Sequence, residues 1–358
     1  MNRFPGKLAL QQRVLPNYRS PFFDLLASAC DGGMSLFTGL PRAVEGITTT
    51  DQLQNAQYVR GGNIHLLNGP FYLCYQQGLI DWLKQWNPDA LVVEANPRYL
   101  STPAAVRWMH QQNKPVIGWG LGSPFTSGLR RKRRARFIGQ FDAIISYSQR
   151  GADEYAALGF PREKIFVAHN SVAMPPSLPL PSRPSTFSLR PNILFVGRLQ
   201  ARKRIDFLLR VCAEIKNVRL VIVGDGPERD ALESLAREIY PGAEFVGARH
   251  GDELKAYFAE ADLFVLPGTG GLAVQEAMSH GLPIIVAQGD GTQDDLVRKE
   301  NGWQIPPDDF NALLATMKDA LSDVARLREM GKESYRIVSE EINIQKMADA
   351  FVRALNSV

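Results

Sequence analysis

Between Ala261 and Val286 the chain reads ADLFVLPGTGGLAVQEAMSHGLPIIV. Gly268, Gly270 and Gly271 let the backbone approach a ligand closely. The helix that follows offers unpaired amides carrying partial positive charge, a setting that holds phosphate. Glu276, about one helical turn beyond that start, is within reach of hydroxyls on a sugar attached to the phosphate, a nucleotide ribose first. Taken alone, the segment also reads as a structural glycine turn followed by a solvated glutamate.

A second group precedes it. Gly197-Arg198-Leu199 stands directly after an apolar run, and Lys203 follows near a helix start. Arg198 offers a planar fork of donors and Lys203 a mobile point charge, which together suit a diphosphate. The alternative is a pair of solvated bases. Basic groups at a helix N-terminus oppose the helix dipole, a conflict that a bound anion relieves. Val223-Gly224-Asp225-Gly226-Pro227 closes the next strand, and its glycines serve that turn. No Asp-x-Asp stands beside a strand end to bind a divalent ion, and Asp294-Asp295 reads as a helix start, so no metal or cofactor is expected.

The third group is basic: Arg130, Arg131, Lys132, Arg133 and Arg134, with Arg136 beyond, interleaved with Leu129, Phe137, Ile138 and Phe141. Such a helix suits an anionic membrane surface, at about 1 kcal/mol per base near the lipid. A solvated basic helix is the equal alternative. Nucleic acid ranks last, because no aromatic platform accompanies the charges.

These groups must be held by something, and the periodicity predicts what. Short apolar runs alternate with helical patterns, which is the signature of doubly wound parallel sheets. Strand candidates run from Lys7–Val14 to Ile165–Ala168 and include Ile64–Leu67; among the helices between them is Tyr75–Trp86. From Pro175 to Pro191 proline and serine dominate, which predicts a linker. The alternation then restarts at Ile193 and ends with a helix near Ile344–Ala354. The expected plan is a first domain (1–174), the linker (175–191), a second domain (192–340) and a C-terminal helix (341–358) packed back on the first domain. Ligands of such sheets bind outside the carboxyl ends of the strands, so the space between the two domains is the expected site.

Composition agrees with a globular chain. Its 358 residues, 45% apolar and 22% charged, suit two domains and exclude disordered or collagen-like classes. No run of about 18 apolar residues exists to span a membrane. The N-terminus suits a first strand better than a signal peptide, so the expected location is cytoplasmic, peripheral at the membrane if the basic segment binds lipid. Cys30, Cys74 and Cys212 are odd in number and widely separated, which predicts reduced thiols.

FVGRLQARKRIDFLL, LVIVGDGPERDAL, FVGARHGDELKAYFAEADLFVLPG, EAMSHGLPIIV and DDLVRKENGWQIPPDD resemble, in that order, the nucleotide-sugar half of retaining glycosyltransferases of family 4. The resemblance implies the GT-B fold of two Rossmann-like domains facing across a cleft. It further implies that Arg198 and Lys203 hold the donor diphosphate, that amides around Gly271, Leu272 and Ala273 complete the cradle, that Glu276 holds the ribose, and that the turn from Gly247 to Arg249 borders the base. Retaining, metal-independent transfer from a UDP-sugar to a glycan, lipid-linked or small-molecule acceptor is the implied reaction. Two positions depart from the family. Its first carboxylate, eight residues before Glu276, is Gly268, and the histidine that often follows a Trp-Gly pair is Leu121, after Trp119-Gly120.

Two other functions stay open: a nucleotide-sugar epimerase or hydrolase on the same plan, and a non-catalytic nucleotide-sugar-binding partner of another transferase. Donor turnover with and without acceptor separates all three.

Overall fold

A computed structural model of the chain describes residues 2–123, 127–176, 179–180, 183–187 and 189–358. The chain divides into two compact units, one formed by residues 1–172 with 344–358, the other by residues 173–343.

The first unit holds, in order, β1 (Leu8–Val14), α1 (Ser20–Ser28), β2 (Met34–Gly39), β3 (Gln57–Arg60), β4 (Gly62–Leu66), β5 (Leu73–Gln77), α2 (Leu79–Trp86), β6 (Ala90–Glu94) and α3 (Thr102–Gln111). After these come β7 (Val116–Gly120), α4 (Gly128–Ile138), β8 (Ala143–Ser146), α5 (Gln149–Ala157) and β9 (Ile165–Val167). Seven strands form one parallel sheet in the order β3-β2-β1-β6-β7-β8-β9. Strands buried on both faces read as continuous apolar runs, as in Ala90-Leu91-Val92-Val93.

The second unit repeats the plan with β10 (Asn192–Val196), α6 (Ile205–Ile215), β11 (Arg219–Val223), α7 (Arg229–Ile239), β12 (Glu244–Gly247), α8 (Gly251–Glu260) and β13 (Leu263–Leu266). It continues through α9 (Ala273–Ser279), β14 (Ile284–Ala287), α10 (Thr292–Leu296), β15 (Gly302–Ile305), α11 (Phe310–Leu321) and α12 (Val324–Arg336). Its parallel sheet runs β12-β11-β10-β13-β14-β15, so the winding reverses between β10 and β13. A π-helical turn (Ile337–Glu341) ends the unit, and α13 (Ile344–Leu355) returns to the first. There Phe351 meets Trp119 and Phe22 edge-on, with ring centroids 4.9 and 5.1 Å away, a geometry aromatic quadrupoles favour.

Two expectations are corrected. Ile64–Leu67 is not a strand of the parallel sheet; residues 62–66 pair antiparallel with 73–77 in a separate two-stranded sheet. The expected helix Tyr75–Trp86 starts only at Leu79, because Gly78 is left-handed at φ 84° and separates strand from helix. Tyr75, Leu79, Trp82 and Trp86 fall at helical spacing by coincidence of the two elements. The expected linker lies partly outside the described residues. Within it, the Arg183 guanidinium donates to the carbonyl oxygens of Phe258 (3.0 Å), His280 (2.9 Å) and Ala261, which fastens that part to the second unit.

Candidate active site

In open doubly wound sheets the ligand crevice lies outside the carboxyl ends of the strands where the winding reverses. In the second unit that point falls between β10, which leads into Gly197-Arg198, and β13, which leads into Pro267 and the glycine loop. Two sequence groups about 70 residues apart, by the neighbouring-strand rule for such switch points, are thus side by side.

Lys203 joins them. It ends the short 3-10 turn Ala201–Lys203 after β10, and its side chain reaches the glycine loop, where Nζ donates to the carbonyl oxygens of Thr269 (2.9 Å) and Gly270. Arg202 donates to the same Thr269 oxygen at 3.0 Å. An ammonium has three donors, so one remains for a ligand. Lys203 is 5% exposed and is not a solvated base. Burial, with Arg202 alongside, pushes its ammonium down to about 8. Arg204, by contrast, is tied to Asp206 at 3.1 Å and to Asp308, and stacks on Phe207; its role is to seat the start of α6.

The glycines have separate jobs. A Cβ on Gly224 would stand 1.9 Å from the Gly197 carbonyl oxygen, and one on Gly226 2.3 Å from that of Leu199. These two serve the stacking of adjacent strand-end turns. Gly270 is left-handed at φ 66°. At Gly268 a Cβ would meet the Arg202 carbonyl oxygen at 2.1 Å; the family's carboxylate position is here filled by the backbone of the turn that carries Lys203.

Beyond the loop, Leu272 precedes α9, whose N-terminus no side chain caps. Ala273 begins the helix and Glu276 lies in its first turn. Burial raises the Glu276 carboxyl, while the nearby His280, Lys255 and His250 draw it back. His280 is fixed by its Nδ1 contact to the Glu276 carbonyl oxygen (2.9 Å) and by stacking on Phe258. His250, directly before α8, adds its charge to this pull on the Glu276 carboxyl, whereas Arg249 is exposed and paired with Glu253 at 3.4 Å. Arg198 is exposed at the end of β10. Asp294 and Asp295 lie in the first turn of α10. Among the described residues no three His, Cys, Asp or Glu side chains converge to hold a metal ion.

The first unit reverses its winding between β1 and β6, and a polar cluster that the sequence reading missed sits there. Glu94, the last residue of β6, accepts from the Arg13 backbone at 2.7 Å, and its own N–H donates to Gln11 Oε1 at 3.2 Å. Gln76 contacts Gln11, the Gln12 carbonyl oxygen (3.0 Å) and Asn63 Oδ1 (3.0 Å). Burial raises Glu94 to about 7 against the opposing pull of Arg13. The signal was present: amide and charged residues at the ends of otherwise apolar strands, LALQQRV and ALVVE. Leu121, at the family's histidine position, is exposed just past β7. The basic group lies on α4, where Arg130, Arg131, Lys132 and Arg133 are exposed and Arg134 is partly buried, donating to Ser123 at 2.9 Å. No helix of the described residues is long and apolar enough to cross a membrane.

A chain whose second unit sets a glycine loop at a doubly wound switch point has the architecture of the nucleotide-binding α/β proteins. Sequence comparison narrows the class. Residues 190–323 match Glycosyl transferases group 1 and residues 45–174 match Glycosyltransferase Family 4. The chain belongs to this glycosyltransferase family and has its GT-B fold. It is 38% identical to a GDP-mannose-dependent alpha-mannosyltransferase of Mycobacterium tuberculosis over 143 residues, 39% of this chain and 36% of the relative. Against the lipopolysaccharide core biosynthesis glycosyltransferase LpsE of Rhizobium meliloti the identity is 22%, over 77% of this chain and 87% of the relative. The chain spans about a third of the length of the first curated relatives it matches. The crystal structure of HepE from Anabaena in complex with UDP superposes with a TM-score of 0.73 at 16% identity, covering 100% of both chains.

Proposed function

We propose that the chain is a glycosyltransferase that moves a hexose from a nucleoside-diphosphate sugar to a hydroxyl acceptor. The single observation that carries this reading is the Lys203 ammonium, buried against the glycine loop at the switch point with one donor to spare. The amides before Ala273, with Arg198 and Lys203, receive the diphosphate, and Glu276 receives the ribose hydroxyls. A UDP-sugar is the favoured donor, supported by the UDP held in HepE; the GDP-mannose dependence of the mycobacterial relative makes GDP-mannose the second donor to test.

In the reaction the bond from the anomeric carbon to the diphosphate oxygen breaks, and the acceptor oxygen bonds to that carbon on the same face. The acceptor's proton passes to the departing diphosphate. Lys203 and Arg198 meet charge as it grows on the leaving group, which is electrostatic stabilisation and needs no resident metal. The acceptor is a lipid-linked glycan or glycolipid at the inner membrane surface, supported by the basic face of α4 and by the likeness to LpsE; a soluble small molecule is the alternative. Glu94 and its amide partners offer donors and acceptors suited to a polyol at the first switch point.

A second reading, a donor-binding partner without turnover, is favoured by the two positions that lack a titratable group, Gly268 and Leu121. Incubation with UDP-glucose, UDP-N-acetylglucosamine and GDP-mannose, with and without glycolipid acceptors, tests both. Release of nucleoside diphosphate that depends on acceptor supports transfer. Tight binding without release leaves the binding partner, and release without acceptor points to a hydrolase.

A further inference from the structure

The small sheet of β4 and β5 is built inside out. In register, Asn63 pairs with Gln76 and His65 with Cys74 on one face, while Ile64 pairs with Tyr75 and Leu66 with Leu73 on the other. Half-covered antiparallel strands ordinarily turn their apolar face inward. Here the polar face is the inward one: Gln76 and Cys74 are 1% and 0% exposed, and Asn63 donates to the carbonyl oxygens of Arg13 (2.7 Å) and Leu40 (2.9 Å). The apolar face looks out, with Ile64, Leu66 and Tyr75 at 38%, 41% and 44% exposure. The connecting turn adds Leu67 and Phe71 at 64% and 75%. Residues 98–100 flank β5 through the Cys74 and Tyr99 bridge, which places Leu100, 45% exposed, on the same outer side. Large contiguous apolar surface of this kind marks an interaction site.

Charge selects the partner. No Asp or Glu occurs from Gln52 to Ile80, and the flanking Arg60 and Arg98 are exposed without an ion pair among the described residues. Apolar and aromatic side chains on a projecting turn, flanked by two exposed arginines and with no carboxylate of its own, match the headgroup region of an anionic leaflet. The exposed bases of α4 begin beyond the carboxyl end of β7, the same edge of the sheet toward which the hairpin's inner face is bonded.

We propose that the outer face of the β4–β5 hairpin docks the enzyme on an anionic lipid bilayer, with Phe71 and Tyr75 at the headgroup boundary and the inner face holding the Glu94 cluster next to the lipid surface. This deepens the membrane-acceptor reading and rests on it for its purpose. A helix of bases alone gives weak, salt-sensitive attachment, and stable anchoring takes a second, apolar signal; the hairpin supplies it.

The test uses the full chain and vesicles of phosphatidylcholine with or without phosphatidylglycerol. Wild type is expected to sediment with the anionic vesicles, and the triple variant Ile64→Ser, Phe71→Ser, Tyr75→Ser to lose at least about tenfold in partition while keeping its UDP affinity. In a separate variant, Phe71→Trp, emission is expected to move to the blue on adding anionic vesicles. Equal sedimentation of wild type and triple variant overturns the proposal, as does an unmoved Phe71→Trp emission. So does a wild-type dimer that the triple variant dissolves, since the face would then be covered by a second copy. A chain that docks but turns over no nucleotide sugar sinks the transferase reading alone, and a chain that transfers to soluble acceptors but never docks sinks this one alone.

Discussion

A Cβ on Gly268 would stand 2.1 Å from the carbonyl oxygen of Arg202, and the Thr269 N–H donates to that same oxygen at 3.1 Å. The glycine loop is therefore laid against the turn that presents Lys203, and the contact leaves no room for any side chain at position 268. Where the family carries a carboxylate, this chain carries the contact that sets its lysine.

Restoring the carboxylate should fail. Gly268→Glu must push the loop off the turn, and overpacking of this kind costs about 1 to 3 kcal/mol. A fragment of residues 173–343, the second compact unit, should unfold at lower temperature with Gly268→Glu and bind UDP more weakly. A variant with higher turnover and unchanged melting would show that the close contact is dispensable.

Lys203→Ala should reduce turnover more than donor binding, because the charge it meets grows as the glycosidic bond breaks; losing one such donor costs about 3 to 4 kcal/mol. The pH dependence has a defined sign. Free Lys203, pushed down to about 8, gives up its proton above that pH, whereas a bound diphosphate retains it. Above about pH 8 the logarithm of Kd for UDP should thus rise by about one per pH unit, and Lys203→Arg, always charged, should hold it level. Calorimetric titration across that range reads the slope, and a flat wild-type profile would remove Lys203 from the diphosphate.

Glu276→Gln should weaken UDP binding about tenfold to a hundredfold, since hydrogen bonds to a charged group contribute about 1.5 to 3 kcal/mol. The more specific readout is discrimination. Wild type should prefer UDP to its 2′-deoxy counterpart, and the variant should lose most of that preference. Equal loss for both ligands would place Glu276 away from the ribose.

Chelation by EDTA should leave turnover unchanged, because Lys203 and Arg198 supply the positive charge at the loop and, among the described residues, no three His, Cys, Asp or Glu side chains converge to hold a cation. Activity abolished by EDTA and restored by magnesium or manganese would assign the diphosphate charge to a metal instead.

Glu94 offers a test of the first unit that does not depend on turnover. Its carboxyl, raised by burial to about 7, keeps a proton in the folded chain that the unfolded chain releases near the ordinary carboxylate value. The folded state binds more protons in that window, so stability is fully present below it and falls as pH rises through about 7. Glu94→Gln should remove this dependence. Its melting temperature relative to wild type should climb from about pH 5 to about pH 8, and a constant difference would show that Glu94 is solvated.

Amino-acid order alone determined what depends on neighbours. The apolar runs of β13 and β14, the glycine turn of Gly268, Gly270 and Gly271 and the helix start before Glu276 were legible because strand burial, turn chemistry and helix period are local. Where two elements abut, local period misleads, and Tyr75 joined the helix that Gly78 in fact precedes. Only the tertiary structure decided that Lys203 lies against carbonyls 66 residues further on, that Gly224 and Gly226 serve the turns of Gly197 and Leu199, and that Gln76 reaches Gln11 across 65 positions. The reason is physical. Strand order sets which loops meet, and it follows from how whole sheets bury their faces, a property that no short stretch of the chain contains. The inverted hairpin shows the same limit: the alternation of Asn63, Ile64, His65 and Leu66 marks a strand, but which of its two faces meets the protein was settled by the polar groups of β1 waiting beneath it.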